Sequence, residues 1–304
     1  VERQTPVGPD QWLVLGIGFK IEDKTIHIKD QEEIFDSSRA GPCLRVSYLK
    51  PAFKTVDYFN YFNYVEDIDV GSSATAEIFY APDLISPSNS VDISTLLAKG
   101  IVFDEETFLF NSLSYQFRLE ELSHLKNGVL DARSTFYKFF KDPLLDSPSS
   151  LVVMFNVLAS RNLDIDREFS LGGENGLLGY KNGSLSDENI AFFKAELRST
   201  LVENYQNLVS LGTALFFEAG SSAQQFLDLK NDILANVGIG LRLFFPDLSP
   251  ARIFRIDFAV PLQDGPEVSA FEIRLTTSEE KPITRSVFEE RSLFDQFQNL
   301  GLLD

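Results

Sequence analysis

Apolar and polar residues alternate with a period of two along most of this chain. The odd-numbered positions from Val209 to Phe217 are mostly apolar, whereas the even-numbered positions beside them include Ser210 and Glu218. Successive side chains of a β-strand point to opposite faces of the sheet, whereas a helical face repeats about every 3.6 residues. The pattern therefore predicts an all-β, antiparallel protein with about twelve strands.

The predicted strands follow one another along the chain with short turns between them. They are 12–22, 44–54, 70–81, 92–103, 107–119, 129–140, 151–161, 190–201, 209–218, 233–245, 254–260 and 271–275. Strands of soluble proteins average about five or six residues, whereas a strand needs about nine to eleven to cross a bilayer. Several segments reach the longer length, which favours a transmembrane β-barrel.

The polar faces of the later strands carry charge in mid-strand. These residues are Glu196, Arg198, Glu218, Arg242, Arg255 and Asp257. They would line the lumen of a transmembrane barrel, or face water on the outside of a soluble sandwich, and alternation alone fits both. Aromatic residues near strand ends, among them Trp12, Tyr58 and Tyr137, suit the interfacial girdles of a barrel. We expect a structural lattice of lumenal charges, with hydrated residues that lack partners as the alternative.

Composition excludes several classes of function. The net charge is -18, which disfavours nucleic acid as a partner because phosphate contacts need Lys and Arg. Cys43 is the single cysteine, and His27 and His124 are far apart and lack ligand-type neighbours. We therefore expect no disulfide framework, no metal site, no cofactor and no enzymatic activity. No apolar run is long enough for a transmembrane helix, and no signal peptide opens the chain, so either Val1 follows a cleavage or the chain is part of a longer protein.

One segment between two predicted strands is rich in glycine. It runs from Ser170 to Asn189, reads SLGGENGLLGYKNGSLSDEN and contains five glycines. The middle of this segment is an apolar cluster, which would be unfavourable in a fully hydrated loop. It consists of Gly176, Leu177, Leu178, Gly179 and Tyr180. We predict a loop over about 165–189 whose middle is buried. The alternative is a surface loop whose glycines only serve its turns.

Several motifs occur in order from this loop to the end of the last strand. They are LGGENGLLGY, FFKAELR, ALFFEAG, ANVGIGLRLFF, RIFRIDFAVPL and VSAFEIRLTTS. In this order and spacing they resemble the bacterial surface antigen family, the outer-membrane assembly and translocation barrels typified by BamA, TamA and the two-partner secretion pores. Upstream, FNYVEDIDVG and NGVLDARSTFYKFF look like strands of one branch of that family. The resemblance covers nearly the whole chain.

The resemblance implies an outer-membrane protein of a Gram-negative bacterium. Its relatives insert barrel proteins or export polypeptides, without cofactor or covalent chemistry, so outer-membrane lipid and client polypeptides are the expected partners. They act through a weak seam between the first and last strands. By analogy Phe271, Ile273 and Leu275 of the closing strand form one edge of that seam. The glycine-rich segment corresponds to the family's loop that folds into the lumen.

The loop departs from the family pattern at one position. Leu178 stands where the family has an arginine, which in relatives pairs with an acid that corresponds here to Glu218. We predict that Glu218 pairs instead with Arg242 on the adjacent strand, or with Lys181 three residues on from Leu178. A buried carboxylate without a partner would be costly.

The strand number and the domain organisation bear on the function, for which three hypotheses remain open. About seven predicted strands precede the loop, whereas the sixteen-strand family barrel has eleven there, so either four strands are missing or the barrel closes with about twelve. The periplasmic POTRA modules of relatives are also missing from this chain. We expect an insertion or export barrel, with a POTRA-free structural scaffold or pore subunit of a larger outer-membrane complex as the alternative. A soluble all-β binding protein is a third reading.

The chain divides into a barrel, residues 1–278, and a C-terminal tail, residues 279–304. Alternation stops after about Ser278, and apolar residues then recur at roughly helical spacing. These are Val287, Leu293, Phe294, Phe297 and Leu300. The tail is predicted to form a short amphipathic helix that binds a protein partner, because its acidic residues disfavour anionic lipid.

Overall fold

A computed structural model describes residues 2–27, 34–59, 62, 65–84, 86–142, 146–164, 167–206, 208–245, 252–263 and 272–278. The strands are β1 (Glu2–Gly8), β2 (Gln11–His27), β3 (Ile34–Lys50), β4 (Phe53–Asp57), β5 (Val65–Asp69), β6 (Ser72–Ala81), β7 (Ser90–Val102), β8 (Thr107–Glu120), β9 (His124–Asp142), β10 (Ser147–Arg161), β11 (Phe169–Leu171), β12 (Leu185–Asp187), β13 (Asn189–Tyr205), β14 (Val209–Ala223), β15 (Leu234–Phe245), β16 (Arg252–Pro261) and β17 (Glu272–Ser278). Short 3-10 helices span Gly173–Asn175 and Phe226–Lys230. No helix in the described ranges is long and apolar enough to cross a membrane.

Within the described ranges, thirteen strands form one antiparallel sheet in the order β1-β2-β3-β6-β7-β8-β9-β10-β13-β14-β15-β16-β17. Two small hairpins, β4–β5 and β11–β12, are inserted between neighbours of this sheet. Among the described residues β1 and β17 are the two edges, each paired on one side only. The predicted all-β, antiparallel class is confirmed.

The sheet has the inverted polarity of a membrane barrel. Its outward face is apolar and exposed, as at Leu215 (52%) and Ile239 (51%), whereas Arg242 (0%) and Glu196 (1%) are buried on the inward face. A soluble sandwich would place these two classes of residue the other way round. Strands β2, β3, β6 to β10 and β13 to β16 have 10 to 19 residues, which is enough to cross a bilayer. The fold is an antiparallel transmembrane β-barrel, and we call the space on its inward face the lumen.

The main sheet contains one strand more than the sequence pattern predicts. The additional strand is β1, whose sequence ERQTPVG does not alternate and contains Pro6. It pairs with β2 through its backbone, with Pro6 opposite Trp12. Proline is tolerated in edge strands, since only one side of the backbone needs hydrogen-bond donors there. As a result eight strands of the sheet precede the glycine-rich loop, and five follow it as predicted.

Two connections fold into the lumen, one from each end of the barrel. The first is the segment 51–71 between β3 and β6, which contains β4 and β5 and which we call the lumenal hairpin. The second is the segment 162–188 between β10 and β13, which we call the lumenal loop. β3 and β10 are five positions apart in an antiparallel sheet, so they run in opposite directions and their connections leave from opposite ends.

Two sequence-based assignments need correction or lie outside the described residues. Tyr58 and Tyr137 do not belong to an interfacial girdle, because Tyr137 is buried on the inward face and its hydroxyl donates to the carbonyl of Tyr58 at 2.7 Å. Alternation near a strand end does not say which face an aromatic residue takes when a connection folds back onto it. Phe271 and the tail 279–304 lie outside the described residues, so the predicted C-terminal helix stays a prediction.

Candidate functional site

The middle of the lumenal loop is packed inside the barrel. Leu177, Leu178 and Tyr180 are each buried, as is the backbone of Gly179 between them. Leu177 and Tyr180 belong to a core cluster with side chains from the strands around the loop. Its members on those strands are Val129, Leu158, Ile190 and Leu234. Burial of these apolar side chains stabilises the inward position, since a loop in water would expose them.

Glycines let the loop backbone approach the wall. Gly176 has a φ of 107°, and a Cβ there would lie 2.7 Å from the ring of Phe192. A Cβ at Gly179 would lie 3.0 Å from the backbone nitrogen of Pro261 and 3.0 Å from the Cβ of Asn236. A side chain at Gly176 would therefore be strained and would clash, whereas one at Gly179 would need Asn236 or Pro261 to move by a few tenths of an ångström.

The loop is bonded to Glu218 through its backbone. The amide of Leu178 donates to Glu218 Oε2 at 2.9 Å, and Asn236 Nδ2 donates to the same oxygen at 3.1 Å. Lys194 Nζ lies 3.3 Å from Glu218 Oε1 and supplies the positive charge. A main-chain amide and a wall lysine thus compensate the Glu218 carboxylate, although Leu178 stands where the family pattern has an arginine.

The predicted pair between Glu218 and Arg242 is wrong, and strand register explains why. In the β14–β15 ladder Glu218 is opposite Asn236, whereas Arg242 is opposite Gly212, six positions earlier on β14. Arg242 instead donates from Nη1 to Asp257 Oδ1 at 2.5 Å on β16. Facing direction could be predicted from the sequence, but the distance along the strand depended on a register that the turns set.

Tyr180 ties the loop to β15, the strand next to the one that carries Glu218. Its hydroxyl donates to the carbonyl of Ala235 at 2.9 Å, and it lies within 3.3 Å of both the backbone oxygen and Oε1 of Gln263. Gln263 Oε1 also accepts from the amide of Ala235 at 2.7 Å. The phenol therefore has partners although its ring is fully buried, which is the usual requirement for a buried tyrosine.

All six charges predicted for the lumen lie in one lattice on β13 to β16. Glu196 is at its centre, with Lys194 at 3.1 Å, Arg198 at 3.2 Å, Arg242 at 3.5 Å and Arg255 at 3.7 Å. Lys194 also bridges Glu196 to Glu218, which links the lattice to the lumenal loop. Buried charges tolerate desolvation only when they are paired in this way. The lattice therefore stiffens the wall on which the loop rests.

Sequence reasoning missed two residues of this site. Lys194 and Asn236 contact Glu218, but neither was among the predicted lattice residues. Lys194 is opposite Glu218 in the β13–β14 ladder. The alternation did place Lys194 on the same face as Glu196, so Lys194 could have been predicted as a lumenal residue from its position in the strand. The described residues contain no group of three or more His, Cys, Asp or Glu arranged to hold a metal ion.

Two of the three residues assigned to the closing strand lie among the described residues. Ile273 and Leu275 lie in β17, where they pair with Phe258 and Ile256 of β16. β17 is the last strand of the sheet order, and β1 is the first. The two strands proposed to form a seam are thus the two edges of the sheet.

Fold and site together define a class of protein, a transmembrane barrel with a glycine-rich loop seated on a charged inner wall. Comparison with known families identifies which one. The Omp85 superfamily domain matches residues 111–280, more than half of the chain, and the chain belongs to that superfamily. This confirms the resemblance to the BamA-like barrels and places the protein in the outer membrane of a Gram-negative bacterium.

A solved structure shares the fold. CdiB from Escherichia coli matches with a TM-score of 0.50 and 14% sequence identity over 89% of this chain. The match covers 50% of CdiB, so this chain spans about half the length of that protein. Comparison with curated protein sequences gave no significant match.

Proposed function

We propose that the chain forms the membrane barrel of a protein that inserts polypeptides into the outer membrane or exports them across it. The observation that carries this proposal is the lumenal loop seated on Glu218 of β14 in a barrel of the Omp85 superfamily. The proposed role needs no covalent chemistry and no cofactor. The partners would be outer-membrane lipid and client polypeptides.

The site of action we propose is the seam between β1 and β17. An edge strand presents unpaired backbone N–H and C=O groups, which can pair with a strand from another chain. On this proposal Phe271, Ile273 and Leu275 belong to the edge that a client strand meets. The charge lattice on β13 to β16 and the lumenal loop would keep the wall next to β17 rigid while the seam opens.

A structural scaffold or pore subunit of a larger complex is the alternative. It is supported by the two connections that fold into the lumen, since a barrel occupied by its own residues has less room for a passenger. The C-terminal tail 279–304 would then bind the partner subunit. A scaffold would retain its role with a sealed seam, whereas an insertion or export barrel would not.

Sealing the seam tests the proposal directly. In a Cys43→Ser background, cysteine at Thr5 of β1 is combined in turn with single cysteines across Glu272–Ser278 of β17. The variant that forms a disulfide is assayed for assembly of a reporter barrel into proteoliposomes, scored by heat-modifiable gel mobility. We expect assembly to be lost on oxidation and restored by reductant.

The matched control is a disulfide away from the seam. Gln4 and Val14 are already neighbours in the β1–β2 ladder, so Gln4→Cys with Val14→Cys cross-links the same strand without sealing the edge. This control should assemble the reporter normally. Full activity of the sealed protein would overturn the insertion proposal and favour the scaffold, which would then be pursued by isolating the complex from outer membranes.

A further inference from the structure

The lumenal hairpin has no part in the site described above, yet it occupies the other end of the lumen. It leaves β3 after Lys50 and rejoins the sheet at Ser72 of β6. β4 and β5 form a regular antiparallel ladder, from Phe53 opposite Asp69 to Asp57 opposite Val65. The hairpin is therefore a preformed element rather than a slack connection.

The root of the hairpin is held firmly against the wall. Asp69 Oδ1 accepts from the amide of Ala52 at 3.1 Å and from the amide of Gly71 at 2.8 Å. The amide of Val70 donates to the carbonyl of Ala52 at 2.7 Å. The backbone of Val70 also lies close to Gly100 of β7, since a Cβ added at Gly100 would be 2.5 Å from the Cα of Val70. These contacts set the direction in which the hairpin leaves the wall.

One aromatic residue at the tip packs into an apolar pocket of the inner wall. Phe59 is fully buried, with its ring centroid 4.3 Å from that of Tyr137, 6.0 Å from Phe110 and 6.3 Å from Phe108. The hydroxyl of Tyr137 donates to the carbonyl of Tyr58 at 2.7 Å. These partners are on β8 and β9, two and three positions beyond β6 in the sheet. The tip thus docks on the wall by aromatic packing and one backbone hydrogen bond.

A second aromatic residue reaches farther across the lumen. The ring of Phe62 stacks on Phe244 of β15 at 5.4 Å between centroids. A Cβ at Gly212 of β14 would lie 3.3 Å from the Phe62 ring. β15 is seven positions beyond β6 in the thirteen-strand order, so the hairpin spans from one side of the barrel to another.

We propose that the lumenal hairpin is a plug that closes the lumen at the end opposite the lumenal loop. Ions and solutes would then meet two barriers in series, one at each end, and the lumen would conduct only when both have moved. The hairpin barrier is held by Phe59 and Phe62, whereas the loop barrier is held by Glu218 and Tyr180. This inference concerns passage through the lumen and does not depend on which polypeptide, if any, the seam accepts.

Conductance of potassium chloride in planar lipid bilayers tests the series arrangement with four proteins. They are the wild type, a hairpin variant (Phe59→Ser with Phe62→Ser), a loop variant (Glu218→Ala with Tyr180→Ala) and the combined variant. Two barriers in series predict low conductance for the first three and a large increase for the combined variant. A loop variant that conducts as well as the combined variant would overturn the plug, as would a combined variant that stays closed.

Two controls separate release of the plug from loss of the fold. Each variant must keep heat-modifiable gel mobility, and Phe53→Ser on the exposed face of the same hairpin must leave conductance unchanged. A further variant tests whether the lumen can be closed again. It is the combined variant with Phe62→Cys in place of Phe62→Ser, together with Gly212→Cys and Cys43→Ser. A short reducible bis-thiosulfonate cross-link should then close the lumen, and reductant should reopen it. If the conductance were the same with and without the cross-link, the hairpin would not lie in the conducting path.

Discussion

The two segments that enter the lumen are held there by different physics. The lumenal loop adds polar contacts to its buried apolar cluster, from its backbone to Glu218 and from the Tyr180 hydroxyl to Ala235 and Gln263. The lumenal hairpin rests chiefly on aromatic packing, with the Phe59 ring tilted against Tyr137 and the Phe62 ring stacked on Phe244. Hydrogen bonds to a charged group specify position, whereas ring packing supplies buried area with looser geometry.

The difference suggests a division of roles between the two ends. The loop is part of a rigid wall, since Lys194 joins its anchor Glu218 to Glu196 and the rest of the lattice. The hairpin tip docks chiefly through the rings of Phe59 and Phe62, together with a contact between Tyr58 and the Glu203 carboxylate. Its release would break mainly ring packing, whereas release of the loop would remove a hydrogen-bond donor from the buried Glu218 carboxylate. We expect the loop to be a fixed structural element and the hairpin to be the more readily displaced one. Four measurements can break or sharpen this contrast.

The largest expected effect comes from Glu196→Ala. The change leaves Lys194, Arg198, Arg242 and Arg255 without their shared carboxylate, and removal of one partner from a buried ion pair costs about 3–5 kcal/mol. The temperature at which the compact gel form is lost should fall markedly. Glu77→Ala is the control, because in the described part of the chain Glu77 forms an ion pair with one cation, Arg45, and its loss should cost less. Equal losses would contradict a special role for the lattice.

Phe59→Ala should have the next largest effect, confined to the hairpin. Deletion of a fully buried phenylalanine side chain costs about 3–5 kcal/mol, here taken from docking of the hairpin rather than from the barrel. Protease cleavage within 51–71 should accelerate while the compact gel form persists. Phe53→Ala on the same hairpin is the control, since that side chain is 60% exposed. If both variants were cleaved equally fast, ring packing would not hold the plug.

Tyr180→Phe should produce a smaller change at the loop. It removes one hydroxyl that donates to the carbonyl of Ala235 and leaves that carbonyl without this donor, a loss of about 1–2 kcal/mol. Hydrogen exchange at the amides of the lumenal loop should rise, and exchange in the hairpin should not. Tyr205→Phe on the exposed end of β13 is the matched control. A change that spread to the hairpin would show that the two segments are coupled.

The smallest expected effect is a loosening of the hairpin at high pH. Burial, together with the nearby Glu203 carboxylate, raises the pKa of Tyr58 above its ordinary value of 10.0. A phenol whose pKa is raised by folding stabilises the docked state below pH 10.0, and this contribution is lost as the pH rises beyond that value. Protease cleavage of the hairpin should therefore increase above that pH. Tyr58→Phe should lose this dependence, and a pH profile unchanged by that substitution would refute the assignment.

Much of the lumenal loop could be predicted from the chain alone. Its glycines, its Leu-Leu-Gly-Tyr cluster and the inward phase of Glu218 are local features of the sequence. The hairpin could not be predicted, because its strands have five residues each and its aromatics resemble an interfacial girdle. Only contacts with β8, β9 and β15 distinguish a plug from a surface turn, and these partners are far away in sequence.

The sequence by itself determined the antiparallel β-fold and which charges share a face, because a period of two assigns every side chain to a face of the sheet. The burial of those charges in the tertiary structure distinguished a membrane barrel from a soluble sandwich. The tertiary structure decided which charges meet. Glu218 faces inward on any register, but only the observed register brings it to Lys194 and Asn236 and separates it from Arg242. If one strand slid along its neighbour by two positions, the same residues would still face the lumen, but each would be opposite a different partner. Pairing depends on turns and on long-range packing, and alternation contains no information about either.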